Sequence, residues 1–354
     1  MEYITEPNKI YLTDVMKGLK SLPDECVDMI FTSPPYFRLR QYGAETILGG
    51  DIDCEHDFNE NNFCVKCNAW LGELGWEPHF NDFVQHLTEI FAECKRVLKP
   101  AGSLYINIGD TYNTNGFKSN SKTSKTQEYN QKLVTKYRVK DYPNKCLSLI
   151  PHRLAMSLID NGYILRNTII WAKRSAVPES VKDRYSKRHE YIFFFTKNEK
   201  YYFDLNAIKK PYCSASFMRI KYAMKDTASI SGITEERRNK ILSNGGANPG
   251  DITDFWDLSP SADTVPNSVG HIARFNVGLL KKPILSSCPE EGIVLDPFMG
   301  SGTTAIAALK YNRKYIGFEI KEDWHKSAIE NIRIYDYDYE EPATEDNCEP
   351  MLPF

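Results

Sequence analysis

Asp296-Pro297-Phe298-Met299-Gly300-Ser301-Gly302-Thr303-Thr304 is the stretch on which the fold turns. The apolar run 292–296 that leads into it reads as a buried strand, and Thr303 opens a helix through residue 311. Gly300 and Gly302 let the backbone of the intervening turn pass close to a ligand without side-chain clash. A strand followed by such a turn puts functional groups at the carboxyl edge of a sheet, where open α/β folds bind ligands. Near the other end of the chain, Thr32-Ser33-Pro34-Pro35-Tyr36 repeats the arrangement after the apolar run 27–32. A Gly-rich turn led by an acid suits a nucleoside cofactor. A polar-Pro-Pro-aromatic loop suits gripping a planar amide or amine.

Outward from these two motifs, regular α/β patterning covers both ends of the chain. Residues 3–36 read as strand, short helix, strand. Residues 80–99 carry apolar side chains at helical spacing (Phe83, Leu87, Ile90, Phe91, Cys94, Val97, Leu98), and Pro100-Ala101-Gly102 stops that helix before a strand over 103–108. A helix over 147–161 follows, then strands over 163–171 and 190–196 that form an edge hairpin. After residue 271 come a helix to 285, the strand into Asp296, the helix from Thr303, a strand over 315–320 and a helix over 323–334. Three stretches break the rhythm. Residues 41–79 look like an insertion, residues 113–145 like a mobile basic loop, and residues 198–268 like a separate small module. The acidic tail 335–354 reads as disordered.

The turn after Asp296 lacks the third glycine of a dinucleotide fingerprint, and no Gly-Lys-Ser/Thr follows as in a phosphate-binding loop. A cofactor with an amino-acid end and a ribose but no phosphate fits better, with Asp296 toward its ammonium. Glu319 ends the next strand, 23 positions after Asp296. That is close to the spacing of roughly 20 residues at which an acid accepts both ribose hydroxyls.

Together these residues resemble a known family. Residues 296–304, followed by Tyr315-Ile316-Gly317-Phe318-Glu319, are similar to the S-adenosylmethionine site of amino-methylating DNA methyltransferases, and Ser33-Pro34-Pro35-Tyr36 resembles their catalytic motif. The catalytic motif precedes the cofactor motif here, the circularly permuted order of the beta group. The resemblance implies a Rossmann-like class I methyltransferase sheet with a zinc-type insert and a small target-recognition module. Residues 1–197 would hold the catalytic half of the core, residues 271–334 the cofactor half, and residues 198–268 the recognition region. It implies Asp14, Asp296, Phe298, Gly300, Ser301, Gly302, Thr303 and Glu319 at the cofactor, and Ser33, Pro34, Pro35 and Tyr36 in catalysis. Asp14 and Asp110, which match acids of the family, equally suit helix caps.

The chemistry behind the catalytic motif is the awkwardness of a base's exocyclic amine, whose lone pair is delocalised into the ring. The Ser33 hydroxyl and the Pro34 carbonyl suit the two amine hydrogens, the prolines pre-set the geometry, and Tyr36 offers a stacking face. A target inside a duplex has to be flipped out. No cysteine lies in this loop, which disfavours a cytosine-C5 route. In this family serine at position 33 is usual for cytosine N4, and Asp or Asn for adenine N6. The resemblance therefore implies site-specific methylation of cytosine N4, with adenine N6 as the alternative. A catalytically silent zinc-containing DNA-binding protein is the rival of another class.

Cys54-x-His56 and Cys64-x-x-Cys67 lie within 14 residues. Three Cys and one His match a closed tetrahedral zinc set, and the surrounding Asp and Asn residues offer little core without a metal. The net charge of −3 conceals local asymmetry. Residues 118–145 hold eight Lys/Arg and two acids, residues 173–188 six and two, and residues 209–240 eight and three. Such blocks suit phosphate contacts with double-stranded DNA. Lys173, Arg174, Arg184, Arg219, Arg237 and Arg238 are the candidates. Residues 335–350 carry seven acids and no base. No run approaches a membrane span, and nine cysteines without a secretion signal point to a reducing, cytoplasmic setting. A restriction endonuclease acting on the same site is the expected functional partner.

Overall fold

The computed structural model describes residues 6–51, 53–114, 139–173, 181–209, 253–259 and 276–338, with Glu236 and Asn239 besides. The chain begins with β1 (Lys9–Leu12), α1 (Val15–Lys20) and β2 (Val27–Thr32). The insertion holds two short strands, β3 (Thr46–Leu48) and β4 (Trp70–Gly72), paired antiparallel. Then come α2 (Phe80–Val97), β5 (Leu98–Ile108), α3 (Ile150–Asp160), β6 (Ile164–Ala172), β7 (His189–Thr196) and β8 (Phe255–Asp257). The C-terminal part supplies α4 (Gly278–Ser287), β9 (Ile293–Asp296), α5 (Thr303–Lys310), β10 (Lys314–Glu319) and α6 (Glu322–Asp338).

Eight strands form one sheet in the order β1-β10-β9-β2-β5-β7-β6-β8. The first five are parallel, β7 and β6 add antiparallel neighbours, and β8 lies parallel to β6. Both faces are covered, which is why the central strands read as continuous apolar runs. Ile30, Leu104 and Phe195 face a core shared with Leu19, Phe91 and Leu158 of the helices on one side. Met29, Phe31, Tyr105 and Phe194 pack with Leu280, Ile284 and Ile306 on the other.

C-terminal β9 joins N-terminal β2 through side chains at both ends of the strand. At the start, Ile293 N–H donates to Asp28 Oδ2 at 2.9 Å, and Lys99 neutralises that carboxylate. At the end, Thr32 Oγ1 donates to Asp296 Oδ1 at 2.6 Å. Thr304 Oγ1 donates to Asp296 Oδ2 at 2.6 Å and Phe298 N–H to Oδ1 at 3.0 Å. Burial pushes the Asp296 carboxyl up to about 6 against these three donors.

Four sequence expectations need correction. The β6–β7 hairpin is not the sheet edge, because β8 from the region assigned to a separate module pairs with β6. The ends of that region also pack on the core: Trp256 is buried, and Tyr201 and Phe203 lie against Phe194. The strand after α2 begins at Leu98, with a register shift opposite β2 that accommodates Pro100. The flanks of the expected mobile loop are tied down, since Asn113 Nδ2 donates to the carbonyls of Val139 and Tyr142. Residues 115–138 and the acidic tail from 339 lie outside the described residues.

Thr304→Val keeps the side-chain shape but removes a hydroxyl from a buried carboxylate. The variant should lose about 1.5–3 kcal/mol of stability, read as a lower urea midpoint with unchanged slope. An unchanged midpoint would remove this clamp from the energetics of the fold.

Candidate active site

An open cavity of about 240 Å³ lies at the carboxyl ends of the parallel strands. Phe298, Met299, Gly300, Ser301 and Thr303 line one side. Gly300 and Gly302 have φ of 56° and 86°, the left-handed region that glycine enters without strain. Gly302 itself does not reach the cavity; it caps α5 and lies so close to Ala328 that a Cβ would sit 3.2–3.3 Å from it. Asp296 is 1% exposed and does not line the cavity either. The expected contact from Asp296 to a ligand ammonium is therefore corrected. Its oxygens are committed to Thr32, Thr304 and Phe298, and it shapes the turn instead of touching its contents.

Glu319 faces the Gly-rich turn across the cavity. Its Oε2 accepts Gly300 N–H at 3.0 Å and its Oε1 accepts Lys321 N–H at 2.8 Å. Burial pushes this carboxyl up to about 7. Each oxygen keeps a lone pair for a ligand hydroxyl. Asp14 caps a helix and also borders the cavity. Oδ1 caps α1 through Met16 and Lys17 N–H, while the residue lines the cavity and Oδ2 accepts Thr46 Oγ1 at 3.3 Å.

The insertion builds a wall of the same cavity. Glu73 accepts the N–H groups of Tyr42 and Gly43, and Lys321 Nζ donates to Tyr42 O at 2.6 Å from the opposite side. The Tyr42 ring meets Trp324 edge-on at 5.2 Å. Sequence reasoning missed Tyr42, Glu73, Lys321 and Trp324. Their contacts join segments from 30 to about 280 residues apart, and no local pattern marks them.

Ser33, Pro34, Pro35 and Tyr36 all line the other end of the cavity. Tyr36 packs its ring against Gly109, where a Cβ would come within 2.6 Å. Its hydroxyl donates to Glu190 Oε2 at 2.9 Å, and Asn107 Nδ2 donates to the same oxygen at 3.3 Å. Ser33 Oγ lies 3.5 Å from Tyr36 Oη. Burial, and next the Glu190 charge, push the Tyr36 phenol well above its ordinary value, so it stays protonated. Lys173 forms an ion pair with Glu190 and sits 4.2 Å over the Trp171 ring. Lys173 lines the cavity while paired with this carboxylate. Glu190 was also missed, although an acid directly before the run Tyr-Ile-Phe-Phe-Phe is a signal that was available; Asn107 begins the Asn-Ile-Gly-Asp stretch that ends at Asp110. Arg184 stacks over the Tyr112 ring at 4.0 Å. Arg174, Arg219, Arg237 and Arg238 lie outside the described residues. Asp110 Oδ1 accepts the N–H groups of Thr111 and Ile150, so it caps α3.

Away from the cavity, Cys54, His56, Cys64 and Cys67 converge so that their ligand atoms lie within 4.8 Å of one another. Cys54 Sγ and Cys64 Sγ are 3.9 Å apart, and Cys67 Sγ and His56 Nδ1 are 3.4 Å apart. Tetrahedral zinc with ordinary bond lengths needs separations of about 3.8 Å and about 3.6 Å, so the donor set fits the ion.

A family profile described as DNA methylase, covering the N6 and N4 enzymes, matches residues 27–330. The chain belongs to that family. It is an S-adenosylmethionine-dependent DNA methyltransferase, of the type found in restriction–modification. The type II methyltransferase M.SmaI of Serratia marcescens is 30% identical over 327 residues, 92% of this chain and 90% of its own length. M.Cfr9I of Citrobacter freundii is 31% identical over 90% of this chain and 86% of its own. Among solved structures, the cytosine-N4-specific PvuII DNA methyltransferase superposes with a TM-score of 0.56 at 18% identity, covering 98% of this chain and 90% of that one. At that identity the likeness is one of fold. Among the described residues no helix is long and apolar enough to cross a membrane.

Because burial raises the Glu319 carboxyl to about 7, it gains a proton as pH falls through that range, and a ligand whose hydroxyls donate to it loses affinity. Binding of S-adenosylhomocysteine, titrated calorimetrically, should plateau above that point and weaken by up to about tenfold per pH unit below it. Glu319→Gln should flatten the curve, and a parallel pH curve in that variant would remove Glu319 from the binding site.

Proposed function

We propose that this methylase transfers the methyl group to the exocyclic N4 of a cytosine flipped out of duplex DNA, within a specific site. The observation that carries the reading is Ser33. It faces the same cavity as the Gly-rich turn and Glu319, on a loop stiffened by two prolines. The cofactor supplies a sulfonium methyl when bound. Glu319 would accept the ribose hydroxyls, Asp14 would lie toward the adenine amine, and Phe298, Gly300, Ser301 and Thr303 would follow the cofactor's length. At the far end the Ser33 hydroxyl and Pro34 carbonyl would accept the two amine hydrogens and draw the nitrogen toward a tetrahedral lone pair. Tyr36, held by Glu190 and by the close approach of Gly109, would support the base. A hydroxyl here, where the family uses a carboxylate or carboxamide for adenine, favours cytosine. The specificity in the PvuII enzyme's name agrees with that choice.

Residues 198–268 would read the target sequence, with Arg174, Arg184, Arg219, Arg237 and Arg238 toward phosphates. The implied biological partner is a restriction endonuclease cutting the same sequence. Incubation with labelled S-adenosylmethionine and mixed-sequence DNA, followed by digestion and mass identification, should yield N4-methylcytosine. Labelled adenine would overturn the base, and no labelled nucleoside would overturn the reaction.

The four-ligand cluster of the insertion would hold a structural zinc with no open coordination position. Elemental analysis should find about one zinc per chain. The insertion walls the cavity through Tyr42, Thr46 and Glu73, so chelation should weaken S-adenosylhomocysteine binding as well as lower the melting temperature. A metal-free chain with full affinity would refute the site.

A further inference from the structure

Methylating an exocyclic amine leaves a proton to be disposed of, and the described cavity contains a path for it. Transfer forms the N–C bond, breaks the S–C bond and leaves that electron pair on sulfur. The nitrogen, cationic at that moment, has to shed one proton. A protonated exocyclic amine is a far stronger acid than an aliphatic ammonium, because neutralising it restores conjugation with the ring. An ordinary ionised carboxylate therefore takes its proton downhill, provided that one is connected to it.

We propose that Ser33, Tyr36 and Glu190 form a proton relay from the target amine. The inference rests on the reading that the target is an exocyclic amine held at Ser33. The Ser33 hydroxyl lies 3.5 Å from Tyr36 Oη, a separation of the kind that tightens when substrate fills a site. The Tyr36 hydroxyl has one proton and two acceptors in reach, Glu190 Oε2 at 2.9 Å and Asn107 Oδ1 at 3.2 Å, and the shorter, charged one takes the hydrogen bond. In one turnover the amine proton passes to Ser33 Oγ, the Ser33 proton to Tyr36 Oη, and the Tyr36 proton to Glu190 Oε2. Serine and tyrosine end as they began. Glu190 ends neutral and returns its proton to water through the cavity, where its side chain is 16% exposed.

The surroundings suit this use. Tyr36 is held protonated, so it passes a proton on and does not keep a charge. Asn107 Nδ2 donates to the receiving oxygen of Glu190 and Lys173 pairs with the other, which fixes the carboxylate in line with the phenol. The direction of donation also matters. A Ser33 proton aimed at Tyr36 leaves the serine lone pairs facing the amine hydrogens.

Glu190 acts through Tyr36 and is a positioning and proton-accepting residue, not one that touches the base. Glu190→Gln still accepts the Tyr36 hydrogen bond but takes no proton. Its single-turnover methylation rate should fall about 10²-fold, with the affinities for DNA and S-adenosylhomocysteine unchanged. Tyr36→Phe should slow the same step. The double variant should be no slower than the slower single, since both cut one path. Added formate should restore part of the rate to Glu190→Ala and none to Tyr36→Phe. A Glu190→Gln rate within twofold of the parent, or additive losses in the double variant, would overturn the relay while leaving the methylation reading intact. A parent chain that labels no DNA amine would overturn both.

Discussion

One buried carboxylate holds the two halves of this enzyme in register. Asp296 sits at the end of β9, and its oxygens accept hydrogen bonds from Thr32, Thr304 and the Phe298 amide. Thr32 is the residue before the catalytic loop, and Phe298 to Thr304 form the Gly-rich turn and the start of α5. The distance from Ser33 to that turn is thus set by side chains on one anion. Desolvation makes this anion expensive, as its raised proton affinity shows. Such a cost persists where a geometry has to be exact to fractions of an ångström, and in-line methyl transfer is that kind of reaction.

The strands, helices and both motifs were legible in the sequence because their signals are local. Apolar runs mark strands buried on two faces, and glycine spacing marks a turn that must admit a ligand. The acid at Glu319 was legible for the same reason. What escaped was set by distant pairing. Asp296 looked like a ligand contact because the sequence does not say that two threonines from different elements already occupy it. The pairing of Lys173 escaped because its partner Glu190 lies across a hairpin. The placement of β8 beside β6 was hidden by its length, three residues in a stretch full of turn formers.

The insertion is more than an ornament on the sheet. Its two short strands bring Glu73 beneath the backbone of Tyr42 and Gly43, and Lys321 ties that backbone to the end of β10. Cys54, His56, Cys64 and Cys67 gather in the same insertion. In the reading proposed above, the state of these four ligands would reach a wall of the cavity through that backbone.

The strand order also has a consequence in time. Among the described strands β1 pairs only with β10, and β9 and β10 lie between β1 and β2. An emerging chain that has made its catalytic loop has no neighbour for its first strand and no carboxylate for Thr32. At translation rates of about 5–20 residues per second, β10 follows β1 by roughly 15–60 s. Until β9 and β10 are made, Thr32 lacks its carboxylate, and the chain lacks both Glu319 and the Gly-rich turn that line the cavity. The strands that complete the cavity are therefore the last of the described strands to be made.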